Sequence, residues 1–187
     1  MKCHLTGACF EQCGSGSNIS GAESLTVTQQ SHRKDSLATC GIVVGGDGCK
    51  TFYFELRIDS GGGSDGDLRD FLIGAVRQGI DHNEDHYDSN DAWYLNMIYG
   101  SLFGNGKMNS DEQGRGSIKV GDRVGVLIDT EGDGRVVFFK NGKKFGPGFS
   151  GGVKGKLLLG VQTYFTGCQV TLLPGATVPT EPFTEWR

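Results

Sequence analysis

Residues 79–91 contain two histidines among several carboxylates. Of all the side chains in the sequence, these have the types and spacing most typical of a reactive or ligand-binding site. The run Asp81-His82-Asn83-Glu84-Asp85-His86 places its imidazoles four residues apart. Imidazole and carboxylate groups together can hold a divalent cation such as Zn²⁺. The segment is polar and aperiodic, however, and nothing in it fixes such ligands in one geometry. We interpret it as a solvated acidic loop, long enough to have a function, and predict no metal ion.

A second group of carboxylates begins like a calcium-binding loop. Residues 129–134, Asp-Thr-Glu-Gly-Asp-Gly, supply oxygens at loop positions 1, 3 and 5 and a glycine at position 6. Position 12 of the motif, where Ca²⁺ requires a bidentate carboxylate, is Lys140. The flanking residues have the pattern of strands, whereas the calcium-binding motif lies between helices. Residues 129–134 are therefore predicted to form a turn.

A glycine motif resembles a dinucleotide-binding loop but lies in the wrong context. Gly61-x-Gly63-x-x-Gly66 follows a predicted strand, yet Asp65 and Asp67 would repel a pyrophosphate, and a strand-like segment follows where a helix is required. No Cys, Ser or Lys stands beside a base in a recognisable catalytic motif. The sequence therefore predicts no catalytic residue and no cofactor.

The six cysteines are too few for a disulfide-stabilised scaffold of this length. Reduced thiols predict a cytoplasmic protein, and Cys40 and Cys168, which fall in predicted strands, are expected to be small core residues. Four residues near the N-terminus could form a Cys₃His zinc site: Cys3, His4, Cys9 and Cys13. Their C-x₅-C-x₃-C spacing differs from the C-x₂-C of a zinc finger, so this site is not predicted.

Length and charge restrict the classes of partner. The 187 residues have room for one sizeable domain with short tails. A net charge of −4 disfavours nucleic acid and anionic membrane surfaces, both of which attract basic patches. No apolar run reaches the ~18 residues that a membrane-spanning helix needs, and no apolar segment of a signal peptide follows Lys2.

Two consecutive hairpins between residues 121 and 146 define the fold class. Residues 123–129 and 135–140 are rich in β-branched and aromatic residues, and a turn cluster separates them. Asn141-Gly142 follows at once, and this pair favours a type I′ turn, in which both central residues have positive φ. The stretch predicts antiparallel β structure.

Residues 51–59 alternate strictly between apolar and polar side chains. Phe52, Phe54, Leu56 and Ile58 would face a core and Tyr53, Glu55, Arg57 and Asp59 the other side. Further strands are predicted at 25–29, 38–44, 71–76, 157–164 and 169–173, and residues 118–120 lead into the hairpins. Short strands with glycine-rich turns between them, and no amphipathic helix, predict an all-β, antiparallel two-sheet β-sandwich.

Five segments, in order along the chain, resemble the SPRY (B30.2-type) domain family. They are TFYFELRI, FLIGAV, AWYLNMIYGSLFGNGK, GDRVGVLIDTEGDGRVVFFKNGKKFGPGF and LLLGVQTYFTGCQVTLL. The resemblance covers residues 22–175 and implies a concanavalin A-like jelly roll of the SPRY type. We expect residues 1–21 to form an N-terminal tail or a loosely docked segment, and residues 176–187 a C-terminal tail.

The resemblance also implies a function. SPRY domains are mostly non-enzymatic modules of protein–protein interaction, which bind a peptide segment or a partner domain through loops at one edge of the sandwich. We therefore expect an adaptor-like role with another protein as partner, no nucleic acid and no membrane, and a chain that is monomeric on its own.

Similarity to peptide-capturing members of the family implies a set of partner-binding residues. An aromatic position just before the last strand gives Phe165, with its neighbours Tyr164 and Thr166. The loop after FLIGAV gives Arg77, Tyr87 and Asp88, and Trp93 is either a further member or a core residue. The alternative is a carbohydrate-binding, lectin-like sandwich, in which the acidic loop, Trp93 and Asn96 would hold a sugar.

Overall fold

The computed structural model describes residues 8–32, 34–46, 49–62, 68, 71–104, 107–109 and 118–180. In these ranges the chain forms strands and one short 3₁₀ turn at Ala22–Ser24. The strands are β1 (Phe10–Cys13), β2 (Ser17–Ser20), β3 (Thr26–Gln29), β4 (Ser36–Cys40), β5 (Thr51–Ser60), β6 (Leu72–Arg77), β7 (Ala92–Asn96), β8 (Leu102–Gly104), β9 (Lys107–Asn109), β10 (Arg123–Asp129), β11 (Arg135–Lys140), β12 (Lys143–Lys144), β13 (Phe149–Ser150), β14 (Leu157–Thr163) and β15 (Gln169–Leu172). None of the described ranges contains a helix with the length and apolarity to cross a bilayer.

The strands form two antiparallel sheets. The first sheet has the order β1-β4-β14-β6-β7-β8-β9, and the second has the order β12-β11-β10-β5-β15-β3-β2, with β13 also paired to β11. Consecutive strands β10 and β11 pair directly, whereas β5 lies between β10 and β15, which are far from it in sequence. The predicted fold class, an all-β antiparallel sandwich of two sheets, is confirmed.

The core lies between the sheets and contains the side chains that the alternation of β5 placed there. Phe52, Phe54, Leu56 and Ile58 are all buried in it. The largest fully buried partners in the same cluster are aromatic: Phe10, Phe71, Trp93 and Phe138. Burial of each such ring contributes roughly 1.5–3 kcal/mol to folding. A chain of this length can therefore be stable without a metal or a disulfide.

The opposite faces of the sheets are also largely buried. Tyr53 and Glu55, on the other side of β5, are 7% and 9% exposed, because the residues after β15 cover the outer face of the second sheet. Residues 78–91 cover the outer face of the first sheet in the same way. Alternation predicted the correct inward face of β5, but the strand has two covered faces.

Residues 10–20 are part of the sandwich, although the sequence assigned them to an N-terminal tail. Strand β1 pairs with β4 at the edge of the first sheet, and β2 pairs with β3 at the edge of the second. Phe10 is 1% exposed in the core. Both strands have only four residues, which is too short for a period-2 pattern to stand out from its surroundings.

The predicted hairpins are confirmed, and β10 and β11 have the bounds that the sequence indicated. Asn141 and Gly142 have φ of 49° and 80°, as a type I′ turn requires. The Asn141 side chain accepts a hydrogen bond from the Arg123 N–H and donates one to Asp122 Oδ1, each at 2.8 Å. One side chain thus joins the β11–β12 turn to the start of β10.

Replacing Asn141 with alanine should destabilise the domain. The substitution removes both of these hydrogen bonds and places alanine at a positive φ, which should cost about 1–3 kcal/mol of unfolding free energy. Urea denaturation followed by circular dichroism measures the loss. Asn18→Ala, at an exposed position of β2, is the control and should change stability by less than about 0.5 kcal/mol. Equal stability of the two variants would contradict the assigned role of Asn141.

Candidate functional site

The register of β14 against β6 separates the predicted site residues into two groups. Leu157 pairs with Arg77 and Gln162 pairs with Leu72. Tyr164, Phe165 and Thr166 follow the end of β14, so they lie at the end of the strand pair opposite Arg77. With a rise of about 3.3 Å per residue, the two ends are on the order of 20 Å apart. The structure therefore does not bring all the predicted residues together.

The Arg77 guanidinium lies over the Trp93 ring at one end of the core. Its guanidinium carbon lies 5.5 Å from the centre of the Trp93 ring system. The Arg77 Nε donates to Asp91 Oδ1 at 2.6 Å, and a terminal nitrogen donates to the Lys154 carbonyl oxygen at 2.8 Å. Trp93 is only 1% exposed. Trp93 is therefore a core residue. Its ring, the Asp91 carboxylate and the Lys154 carbonyl hold the Arg77 side chain in place.

Residues 78–91, which the sequence predicted to be a solvated loop, form a covering layer on the first sheet. Ile80 and Tyr87 pack on an apolar cluster of the outer face, which consists of Leu37, Leu72, Val76, Ala92, Tyr94, Phe103 and Leu158. The ring centres of Tyr87 and Phe103 are 3.9 Å apart. Tyr87 thus packs against the sheet, whereas Asp88 is exposed on the outside of the loop.

Hydrogen bonds attach this loop to strands β4 and β14. The His82 carbonyl oxygen accepts from the Leu37 N–H at 3.0 Å, and the His82 ring nitrogen Nε2 lies 2.9 Å from Thr39 Oγ1. Gln162 Nε2 donates to Asp85 Oδ1 at 2.9 Å. The buried His86 donates from Nε2 to the carbonyl oxygen of Asp81. The two histidines therefore bond to different protein groups, and no metal-binding cluster of three or more His, Cys, Asp or Glu side chains occurs in the described ranges.

Burial shifts the pKa of two groups where this loop meets the sheet. Partial burial lowers the pKa of His82 below 6.5; nearby Asp81 raises it and His86 lowers it further. Burial, with the Asp85 charge, raises the pKa of the Tyr94 phenol. His82 is therefore neutral at neutral pH, and the loop is bonded to the sheet in that state.

The calcium-like motif is a turn whose carboxylate is used internally. Asp129 Oδ1 accepts from Thr51 Oγ1 at 3.1 Å and from the Glu131 N–H at 3.0 Å. Its other oxygen pairs with the Arg135 guanidinium at 2.9 Å.

The remaining motifs of the sequence are the cysteine-rich N-terminus and the glycine-rich loop. Cys3, His4 and Gly63 to Gly66 lie outside the described residues. Cys40 is a buried core residue, as predicted, and burial raises the pKa of its thiol to about 11.

The second group of predicted residues, Tyr164, Phe165 and Thr166, forms an aromatic surface together with His32, which the sequence did not point to. We name these four residues the Phe165 edge. Tyr164 and Phe165 meet edge to face, with ring centres 5.2 Å apart, and the His32 ring lies 5.8 Å from that of Phe165. Both aromatic residues are half-buried, and Thr166 is exposed. Four polar or aromatic side chains therefore lie together at one edge of the sandwich.

Gln29 holds the two segments of the Phe165 edge together. Its backbone N–H donates to the Cys168 carbonyl and its carbonyl accepts from the Gly167 N–H, both at 2.9 Å. Its side-chain amide donates to the carbonyls of Ser31 and Lys34, at 3.0 and 2.7 Å. Gln29 itself is 1% exposed, so the Gln29 side of each bond is buried.

Two more contacts fix the backbone around Phe165. The Gln29 side-chain oxygen also accepts from Thr163 Oγ1 at 3.0 Å, at the end of β14. A Cβ atom on Gly62 would lie 2.5 Å from the Phe165 Cβ, so only glycine permits this approach. Gln29 and His32 were not predicted as site residues. Gln29 ends a predicted strand and His32 lies in the polar, aperiodic segment that follows, and neither carries a pattern that points to a site.

Comparison with known proteins identifies this architecture. The model of the SPRY domain family matches residues 51–176. The crystal structure of the SPRY domain of human HERC1 superposes with a TM-score of 0.73 at 17% identity, over 90% of this chain and 99% of that chain. A second human SPRY domain gives a TM-score of 0.65 at 20% identity, over 89% and 99%. The TRIM65 PSpry domain gives 0.62 at 15%, over 91% and 90%. A comparison with curated proteins finds no match.

Acidification should loosen the loop of residues 78–91 through His82. Because its folded pKa lies below 6.5, the stability contribution of neutral His82 is full above pH 6.5 and is lost as the pH falls from 6.5 through the lowered pKa. The drop in melting temperature between pH 7.5 and pH 5.5 should therefore be smaller in His82→Gln than in the unmodified chain. Glutamine keeps a group that can bond Thr39. An equal drop in both proteins would contradict the role of His82.

Proposed function

The chain belongs to the SPRY domain family, and from its surface we propose that it is a non-enzymatic protein-interaction module that captures a peptide segment or partner domain at the Phe165 edge. SPRY domains generally bind other proteins. The observation that carries the proposal is the half-exposed Tyr164–Phe165 pair, which lies beside His32 on a buried hydrogen-bonded support.

Aromatic residues in this position suit protein capture. They contribute a large contact area with few rotatable bonds, and binding hot spots are rich in them. The Phe165 side chain packs against the core, its Cβ lies close to Gly62, and its loop is fixed by Gln29. A partner would therefore lose little free energy to ordering this surface. His32 and Thr166 can add hydrogen bonds that orient the bound segment.

The other residues expected at the site are less suited to it. Trp93 is buried, Tyr87 packs on Phe103, and Arg77 is bonded to Asp91 and Lys154. Asp88 is exposed but lies on the loop that covers the first sheet. We propose that these residues maintain the scaffold, and that the Phe165 edge makes the first contact with the partner.

The lectin-like alternative gains no support from the geometry. It required Trp93 and Asn96 to face a sugar, and the two residues are 1% and 0% exposed. Buried side chains at these positions cannot contact a ligand that arrives from solvent.

The net charge of the chain indicates the class of its partner, and its cysteines indicate the cell compartment. A net charge of −4 favours a protein partner over nucleic acid or an anionic membrane. Cys9, Cys13, Cys40 and Cys49 form no disulfide, and Cys40, Cys49 and Cys168 are buried. We therefore propose a cytoplasmic, monomeric adaptor domain.

Blocking the Phe165 edge should abolish capture without unfolding the domain. Thr166→Arg adds a bulky cation at an exposed position, and Phe165→Ala removes the central ring. We expect each variant to retain less than about a tenth of the partner protein recovered by affinity purification and quantified by mass spectrometry, since loss of one hot-spot residue costs about 2 kcal/mol or more.

Two controls make this experiment interpretable. Ser150→Arg adds the same charge at an exposed position of β13 and should leave capture unchanged. The melting temperature of Thr166→Arg should stay near that of the unmodified chain, which separates lost binding from lost folding. Full capture by folded Thr166→Arg and Phe165→Ala, with loss in Arg77→Ala, would overturn the proposal.

A further inference from the structure

A second aromatic surface lies on the outer face of the second sheet. We name it the Tyr53 face: Tyr53, Leu127, Val137 and Phe139. The register places Leu127 directly opposite both Tyr53 and Val137, on adjacent strands β5, β10 and β11. Tyr53 and Phe139 meet edge to face, with ring centres 5.6 Å apart. These four side chains form an apolar cluster separate from the core between the sheets.

Gly125 gives the Tyr53 face its shape. A Cβ atom on Gly125 would lie 2.2 Å from the Tyr53 hydroxyl oxygen, so the phenol ring reaches across the space above this glycine. The hydroxyl lies 3.5 Å from Glu55 Oε1, and Glu55 in turn lies 3.5 Å from the Arg123 guanidinium. The face is thus an apolar floor with a polar rim on one side, as in many peptide-binding surfaces.

The chain covers this floor with its own C-terminal segment, residues 174–180. Ala176 and Val178 pack on the Tyr53 face, while Thr177 between them is exposed. Contacts from every second residue require an extended backbone. After a turn at Pro174 and Gly175, residues 176–180 therefore lie on the face in an extended conformation, and Pro179 follows Val178.

Little besides these two side chains attaches the C-terminal segment to the sheet. In the described residues, the last backbone hydrogen bond from the chain to this sheet runs from the Leu173 N–H to the Glu55 carbonyl, at 2.8 Å. Residues 174–180 belong to no strand. Displacing the segment therefore breaks no strand ladder, and segments with so few contacts open most readily.

We propose that the Tyr53 face is a peptide-binding surface that the C-terminal segment occupies in cis. Its external ligand is an extended segment of another protein with two small apolar residues two positions apart, next to a proline. Such a ligand places its side chains where Ala176 and Val178 lie and competes with them for the same floor. The surface is distinct from the Phe165 edge, and binding there depends on release of the C-terminal segment.

A peptide titration on the full-length chain tests this proposal. The probe is a fluorescent synthetic peptide with the sequence of residues 173–180. Val178→Arg should release the segment and bind this peptide at least ten-fold more tightly than the unmodified chain. Thr177→Arg, at the outward-facing position, is the matched control and should bind no better than the unmodified chain. A peptide in which aspartate replaces valine should not bind any of them.

The outcomes separate the proposal from its alternatives. Near-ultraviolet circular dichroism checks that Val178→Arg is folded, and Val178→Ala is a milder second variant that should give intermediate affinity. Equal, negligible affinity in folded Val178→Arg, Val178→Ala and Thr177→Arg would overturn the proposal. A concentration-dependent dimer of the unmodified chain that Val178→Arg abolishes would also overturn it, since the occupant would then come from a second copy.

Discussion

The pairing register of β14 between β4 and β6 is the constraint on which the arrangement of the surface depends. Every residue of β14 is buried, and its partners on both sides are fixed residue by residue. A shift by one position would turn Leu157, Leu159 and Val161 out of the core. The same register directs the chain after Thr163 toward Gln29 and away from Arg77. The location of the Phe165 edge is thus a consequence of core packing.

Both sheets are covered on both faces, and the two outer covers differ in how they are attached. Residues 78–91 lie on the first sheet through hydrogen bonds to β4 and β14 and through the Tyr87–Phe103 contact. The C-terminal segment lies on the second sheet through Ala176 and Val178. A cover attached by buried polar groups is part of the scaffold, because breaking it leaves those groups unsatisfied. A cover attached by two small side chains is exchangeable.

Local sequence patterns predicted the elements whose signals are local. The alternation of Phe52 to Ile58 gave the inward face of β5, and Asn141-Gly142 gave the turn type, because side-chain period and positive φ depend on neighbouring residues alone. The order of five family-like segments gave the fold class. Strands β1 and β2 were missed since four residues are too few to establish a period.

The candidate site could be predicted only in part, for a physical reason. Phe165 was expected at the site because the family resemblance placed an aromatic residue before the last strand. Whether Arg77 or His32 lies near it depends on the register between strands far apart in sequence. Alternation within a strand determines which face a side chain occupies and carries no information on that register. Tyr87 was expected at the site because the family resemblance implied that the loop after FLIGAV contributes to binding, yet the polar groups of this loop bond the sheet and leave the Tyr87 ring to pack on Phe103.

Hydrogen exchange measured on the full chain, with and without its captured partner, tests the central claim most directly. The account predicts new protection in residues 29–32 and 164–168, with exchange at Arg77, Asp91 and Lys154 unchanged. Protection confined to the Arg77 end of the sandwich, with none around Phe165, would contradict it.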